Sequence, residues 1–251
     1  MIAGDLTTGR LEVPRRFNGP PATANGGYAC GAIAAFADGP VEVSLRAPPP
    51  LDTPLDVRRG ADGRIAVTEG DVLVADAGPA DLSDVVPPVR PTVAEAREAM
   101  RGHPFHGADT LTARCFVCSP QRHDGLGVHF GPLPGWPKLN AALLIGDATL
   151  PHHDGVLADR IAWAALDCVS YTPELWRSDG MSLLGAMAAE VLEPVPMGEP
   201  VVAVAWPLET SGRRHRSAST LLRADGRMLA RARALWIRLR GPGEGVSAGG
   251  S

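Results

Sequence analysis

Apolar positions in this chain fall into two kinds of run, and the same succession of runs occurs twice. Behind Asn25-Gly26-Gly27, residues Tyr28 to Ala37 (YACGAIAAFA) are apolar almost without a break and stop at Asp38-Gly39-Pro40, which predicts a short helix ended by a strong breaker. Val41 to Leu45 then reads as a strand, followed by Pro48-Pro49-Pro50. Three further runs, Leu55 to Arg59, Ile65 to Glu69 and Val72 to Ala77, are separated by the turn signals Gly60-Ala61-Asp62-Gly63 and Gly70-Asp71 and predict an antiparallel meander. Residues 1–24, rich in Pro and Gly, read as loop.

The order returns in the second half. His152 to Cys168 (HHDGVLADRIAWAALDC) is read as one buried helix. Ile161, Ala164, Ala165 and Cys168 recur at helical spacing, and Trp163 and Leu166 broaden the apolar surface. Met187 to Leu192 reads as a strand. A meander follows in Val201 to Trp206, His215 to Leu222 and Met228 to Ile237, with turns at Ser211-Gly212 and Ala224-Asp225-Gly226. Pro48, Pro50 and Pro54 in the first half match Pro194, Pro196 and Pro200 in the second at one constant offset. Each half is therefore helix, strand, Pro-kinked bend and three-strand meander. Between them, Thr92 with Glu95 forms a capping box that opens a linker helix expected to lie across the surface. The predicted organisation is α+β: a first unit over 1–90, a linker with a short helix over 91–114, a second unit over 115–240, and a Gly/Ser-rich tail over 241–251 expected to be disordered.

One acid interrupts this pattern. Asp167 sits next to Cys168 in the most apolar part of the second helix, where a carboxylate is costly to bury without a partner or a task. The alternative is a half-solvated acid that caps the following turn, Ser170-Tyr171-Thr172-Pro173.

Composition narrows the classes. With 251 residues, 45% hydrophobic content and a net charge of -4, the chain can bury a large core and carries no electrostatic case for nucleic acid or an anionic membrane surface. The N-terminus has no signal-type apolar core, and no window approaches the ~18 apolar residues of a membrane span, so a cytoplasmic protein is expected. High Ala, Pro and Arg against few Lys resembles GC-rich bacterial usage. The four cysteines, Cys30, Cys115, Cys118 and Cys168, are expected as thiols. Cys115 and Cys118 could form half of a zinc site completed by His103 and His106, but packing at a strand entry is the favoured reading. No cofactor is expected: there is no GxSxG, phosphate loop or dinucleotide fingerprint.

From about Cys115 to Leu239 the chain resembles a hotdog-fold acyl-CoA thioesterase of the phenylacetate-pathway type. The segment CFVCSPQRHDGLGVHF is similar to that group's opening CF-x-C-G-x-x-x-x-x-G-L, and Ala165-Leu166-Asp167-Cys168 to the end of its HGG…LLDEA helix. Pro194 to Val201, Gly212-Arg213 and Asp225-Gly226 are similar to its closing motif. The first half, through NGGY and LRAPPPLDTPL, is similar to the leading half of TesB-like double-hotdog thioesterases. The resemblance implies a double hotdog, two antiparallel sheets each wrapped around one central helix, acting on an acyl-CoA or acyl-carrier thioester. A non-catalytic acyl-thioester binder, a hydratase or dehydratase, and a structural partner of other hotdog chains are alternatives on the same scaffold. Neither nucleic acid nor membrane is expected as a partner, and a homodimer through the sheets stays open.

The sequence departs from the family's pattern in each half. Where HGG would stand, the second half has Ala158, Asp159 and Arg160, while the first half has Gly26 and Gly27 but no acid in its helix. Thioester hydrolysis needs donors for the carbonyl oxygen, which amides at a helix N-terminus supply, and an acid as base or nucleophile. Along one helix these groups would be about 13 Å apart, so two helices are needed. Packed antiparallel, the helices would bring Gly26 and Gly27 to Asp167 in one composite site, and the opposite end would have only Ala34, Ala35 or Phe36. Asn25 is read chiefly as an N-cap and otherwise as a ligand for the carbonyl. Tyr28 and Trp163 are candidates to line the acyl tunnel. Arg213 and Arg214, in a charged hairpin turn, are candidates for the coenzyme A phosphates.

Overall fold

The computed structural model describes residues 5–106, 112–178 and 180–240, with backbone alone for 5–8. The tail expected to be disordered lies outside the described residues. In the first half the elements are β1 (Asp5–Leu11), α1 (Gly26–Ala34), β2 (Val41–Leu45), β3 (Leu55–Gly60), β4 (Ile65–Glu69) and β5 (Val72–Pro79), followed by α2 (Val93–Met100). The second half has β6 (Gly131–Leu133), β7 (Trp136–Leu144), β8 (His152–His153), β9 (Val156–Leu157), α3 (Asp159–Val169), α4 (Pro173–Trp176), β10 (Ser182–Val191), β11 (Val201–Ser211), β12 (Arg214–Leu222) and β13 (Met228–Arg238).

Both meanders form as read, but they do not make two sheets. Eleven strands join in a single antiparallel sheet in the order β1-β3-β4-β5-β2-β10-β13-β12-β11-β7-β6. The seam is β2 against β10, where Val41 faces Ala189, Glu42 faces Ala188 and Val43 faces Met187. By the proline offset, Met187, Ala188 and Ala189 are the repeat counterparts of Val41, Glu42 and Val43. Equivalent strands therefore pair with each other about a local two-fold centred on Glu42 and Ala188. The repeat extends to the helix entries: Ala24 N–H donates to Pro49 O and Leu157 N–H to Val195 O, both at 2.9 Å.

Two further expectations need correction, and two strands were not expected. Residues 1–24 are not all loop, because β1 pairs with β3. The helix read from His152 begins only at Asp159, since Asp154 (φ 48°) and Gly155 (φ 77°) make the tight turn of the hairpin β8–β9. Strands β6 and β7 went unread: β7 opens on Trp136-Pro137-Lys138, and from Asn140 to Leu144 it is buried on both faces and shows no alternation.

That double burial places α2. On β7 and β11, residues Ala142, Leu144, Val201, Ala203 and Ala205 pack in the core with α1 and α3. Their alternates Ala141, Leu143, Val202 and Val204 pack under Ala96 and Ala99 of α2 on the outer face. The capping box is present, with Glu95 N–H donating to Thr92 Oγ1 and Thr92 N–H to Glu95 Oε2. Thr92→Ala is expected to lower stability by about 1 kcal/mol, read as a melting temperature reduced by roughly 2–4 °C. No change would mean that sheet contacts alone hold this helix.

Candidate active site

Helices α1 and α3 cross the core in opposite directions at unusually close range. A Cβ built on Gly27 would lie 2.3 Å from Asp167 Cβ and 2.6 Å from Trp163 O. One on Gly31 would lie 2.8 Å from both Arg160 Cα and Trp163 Cβ. Moving forward along α1 thus moves backward along α3. Without side chains at these two positions the backbones touch, and the N-terminus of α1 meets the last turns of α3.

Asp167 lies at this meeting point. It is 2% exposed, which removes the half-solvated alternative. Its Oδ2 accepts from Gly27 N–H at 2.8 Å and from Asn25 Nδ2 at 3.0 Å. Its Oδ1 has no hydrogen-bond partner among the described residues. Burial raises the carboxyl to about 7 from its ordinary 3.8; the Gly27 hydrogen bond opposes this, charge at Cys115 adds to it, and the Asn25 bond opposes it. The positive end of α1 acts in the same direction as its amides. Asn25 works at both ends, because its Oδ1 caps α1 by accepting from Tyr28 N–H at 2.8 Å.

The last turn of α3 is held from three strands. Ser219 Oγ on β12 donates to Leu166 O, and Asn140 Nδ2 on β7 donates to Val169 O and Tyr171 O. Ser170 Oγ donates to Asp167 O and accepts from Trp236 Nε1 on β13. The carbonyls at this helix end are thereby satisfied, and the backbone carrying the acid is fixed.

A mostly apolar cavity opens on Asp167. Its wall includes Asn25, Gly26, Leu183, Leu184, Phe130 and Trp236, with Cys115, Cys118 and Cys168. Gly26 N–H, at the free end of α1, has no acceptor among the described residues. Asn25, Gly26, Gly27 and Asp167 are therefore brought together, but with one difference from the reading above. Gly27 N–H is held by the carboxylate, which leaves Gly26, on the cavity wall, as the glycine whose amide has no such bond.

The other named residues lie elsewhere. Tyr28 stacks on Phe17 (centroids 4.1 Å apart) and packs edge-on to Phe116, outside the cavity wall. Trp163 lines a separate cavity at the far end of the helix pair. Arg213 donates to Arg238 O, and Arg214 is exposed at the start of β12; neither reaches the cavity wall. In each case side-chain direction was not legible in the sequence. The wall from β10 and Trp236 was missed, although Trp236 stands at an inward position of an alternating strand.

The histidines do not join the cysteines. His103 Nδ1 bonds to Phe130 O, and its ring packs with His106 and His129, while Cys168 stands beside Cys115 and Cys118 instead. At the far end of the pair, Asp159 and Arg160 face Ala34 and Ala35. By repeat position Ala158 replaces Asn25 there and Ala34 replaces Asp167, so that end has no acid on α1.

This architecture, two repeats that each lay one helix on a shared antiparallel sheet, is the hotdog fold. A candidate thioesterase from Novosphingobium aromaticivorans is similar at a TM-score of 0.60 and 16% identity, over 96% of this chain and 98% of that one. A candidate thioesterase II from Thermobifida fusca gives 0.59 and 14%, over 95% and 94%. The tesB protein of Mycobacterium avium subspecies paratuberculosis gives 0.56 and 12%, over 93% and 92%. No protein-family model matches the sequence, and no curated protein does. At these identities the likeness establishes the fold. No helix among the described residues is long and apolar enough to cross a membrane.

Proposed function

We propose that the chain hydrolyses acyl thioesters, carried on coenzyme A or an acyl carrier, at one composite site between α1 and α3. The observation that carries this is the asymmetry of Asp167: a buried carboxylate with Oδ2 held by the other repeat and Oδ1 without a partner among the described residues, on the wall of an apolar cavity. Oδ1 takes a proton from water as the oxygen attacks the thioester carbon, and the C–S bond breaks to release the thiolate, which recovers the proton. Gly26 N–H stabilises the oxyanion, helped by the helix terminus. The apolar wall accepts the acyl chain. The hotdog neighbours described as thioesterases support the same reaction class. Hydration chemistry on this scaffold would want an Asp/His pair, and no histidine among the described residues lines the cavity.

The test combines two measurements on the full chain: free-thiol release from short, long and aromatic acyl-CoAs and their carrier-bound forms, and calorimetric titration with a non-hydrolysable acyl-CoA analogue. Turnover of at least one class with one site per chain is the expected result. Two equivalent productive sites would reject the composite arrangement, and binding without thiol release would leave an acyl-thioester binder.

A further inference from the structure

We propose that Cys115, Cys118 and Cys168 form a binding site for a thiophilic divalent cation, zinc first among them, with three protein sulfurs and a fourth position facing the cavity. The three Sγ atoms all lie within 4.8 Å of one another, and all three residues are buried. Cys115 Sγ and Cys168 Sγ are 3.8 Å apart. With metal–sulfur bonds of about 2.3 Å, a tetrahedral site puts its sulfurs about 3.8 Å from each other. The ligands come from two separate pieces of chain. Cys115 and Cys118 sit on a turn closed by Ser119 N–H on Cys115 O, and Cys168 sits in the last turn of α3.

Three buried thiols could simply fill space, since cysteine packs as a small hydrophobe. Their surroundings go further than packing requires. Val117 N–H points at Cys115 Sγ at 3.4 Å, the type of amide–sulfur bond that orients and stabilises a ligating thiolate. Asn25 Nδ2 lies 3.7 Å from Cys168 Sγ and 4.0 Å from Cys115 Sγ. Both donors suit negative sulfur better than a neutral thiol. Three protein ligands with the remaining position turned towards a cavity is the arrangement of open rather than closed zinc sites. Asp167 stands outside the sulfur group, so the site and the acid are neighbours and separate in composition.

The test uses the full chain, purified under thiol reductant, stripped with a chelator and titrated with Co²⁺ alone. One equivalent per chain is expected, with sulfur-to-cobalt charge-transfer absorption in the near ultraviolet and the strong visible bands of tetrahedral cobalt. Zn²⁺ should displace it. Cys115→Ser, Cys118→Ser and Cys168→Ser should each weaken Zn²⁺ binding by more than the roughly 10–100-fold lost with an outer-shell partner. Should a variant fold poorly, zinc release from the unmutated chain gives the same reading: after loading and removal of free metal, blocking the thiols with a mercurial should free one equivalent of Zn²⁺ per chain into a chromophoric chelator, and no release would count against the site. A cobalt spectrum without charge transfer, affinity unchanged in the three variants, or a Cys115–Cys168 disulfide under reductant would overturn the site. No substrate enters these measurements, so their failure leaves thioester hydrolysis untouched, and loss of hydrolysis leaves them untouched.

Discussion

Asp167→Asn is expected to abolish thioester turnover, by about 10²–10⁴-fold in kcat, while the chain stays folded. The amide has nearly the shape of the carboxyl. Its oxygen can accept from Gly27 N–H and Asn25 Nδ2 as Oδ2 does, which leaves an NH₂ group unable to take a proton where Oδ1 stood. Stability should move in the opposite direction to activity. The folded carboxyl is raised to about 7 from 3.8, so the folded state binds the proton more tightly than the unfolded state does. In the metal-free chain this term costs nothing below the unfolded value, grows as pH rises towards about 7 and is constant above it. Denaturant midpoints should therefore fall less between pH 5 and pH 8 in the Asn variant than in the parent. Retention of full kcat by Asp167→Asn would remove the acid from the mechanism.

Gly27→Ala should produce a large loss of stability for a single added methyl. Propensity alone favours alanine inside a helix by up to about 1 kcal/mol. Here the added carbon meets Asp167 Cβ at 2.3 Å, Trp163 O at 2.6 Å and Ala164 Cα at 3.1 Å. These are backbone or backbone-adjacent atoms that no rotamer change can move, so α1 and α3 must part. Overpacking of this kind costs about 1–3 kcal/mol, and an immovable neighbour places it at the upper end or beyond. The melting temperature should drop by roughly 2–4 °C per kcal/mol. The displaced amide should also lose its bond to Asp167. Gly39→Ala is the control, since nothing stands within 4 Å of its added carbon. A rise in melting temperature for Gly27→Ala would show that the helices do not abut.

The meanders were legible because short apolar runs, alternating in β3 and β4 and punctuated by Gly and Asp turns, admit few other readings, and β4 runs from Ile65 to Glu69 as expected. The pairing that fuses two units into one sheet was not, because β2 and β10 meet through an edge contact that no local pattern records. At the site, the missing acid of one half and the missing glycines of the other pointed to Asp167 beside Gly26 and Gly27. These glycines were read as amide donors; at Gly27 the absent side chain also makes room for helix α3. Tyr28 and Trp163 failed for a related reason: a helix that is apolar on nearly every side gives no hint of which residue faces which cavity. Cys168 could not be grouped with Cys115 and Cys118 from spacing, since their approach depends on where the end of α3 lands.

The local two-fold at Glu42 and Ala188 bears on how such a site can change over time. Were the repeats separate, identical subunits, every substitution would be written twice, and both ends of the helix pair would carry the same side chains. Fusion in one polypeptide lifts that obligation. One end can concentrate the chemistry while the other, with alanine where the acid and the cap would stand, is released from selection for it and left free to drift or acquire another use.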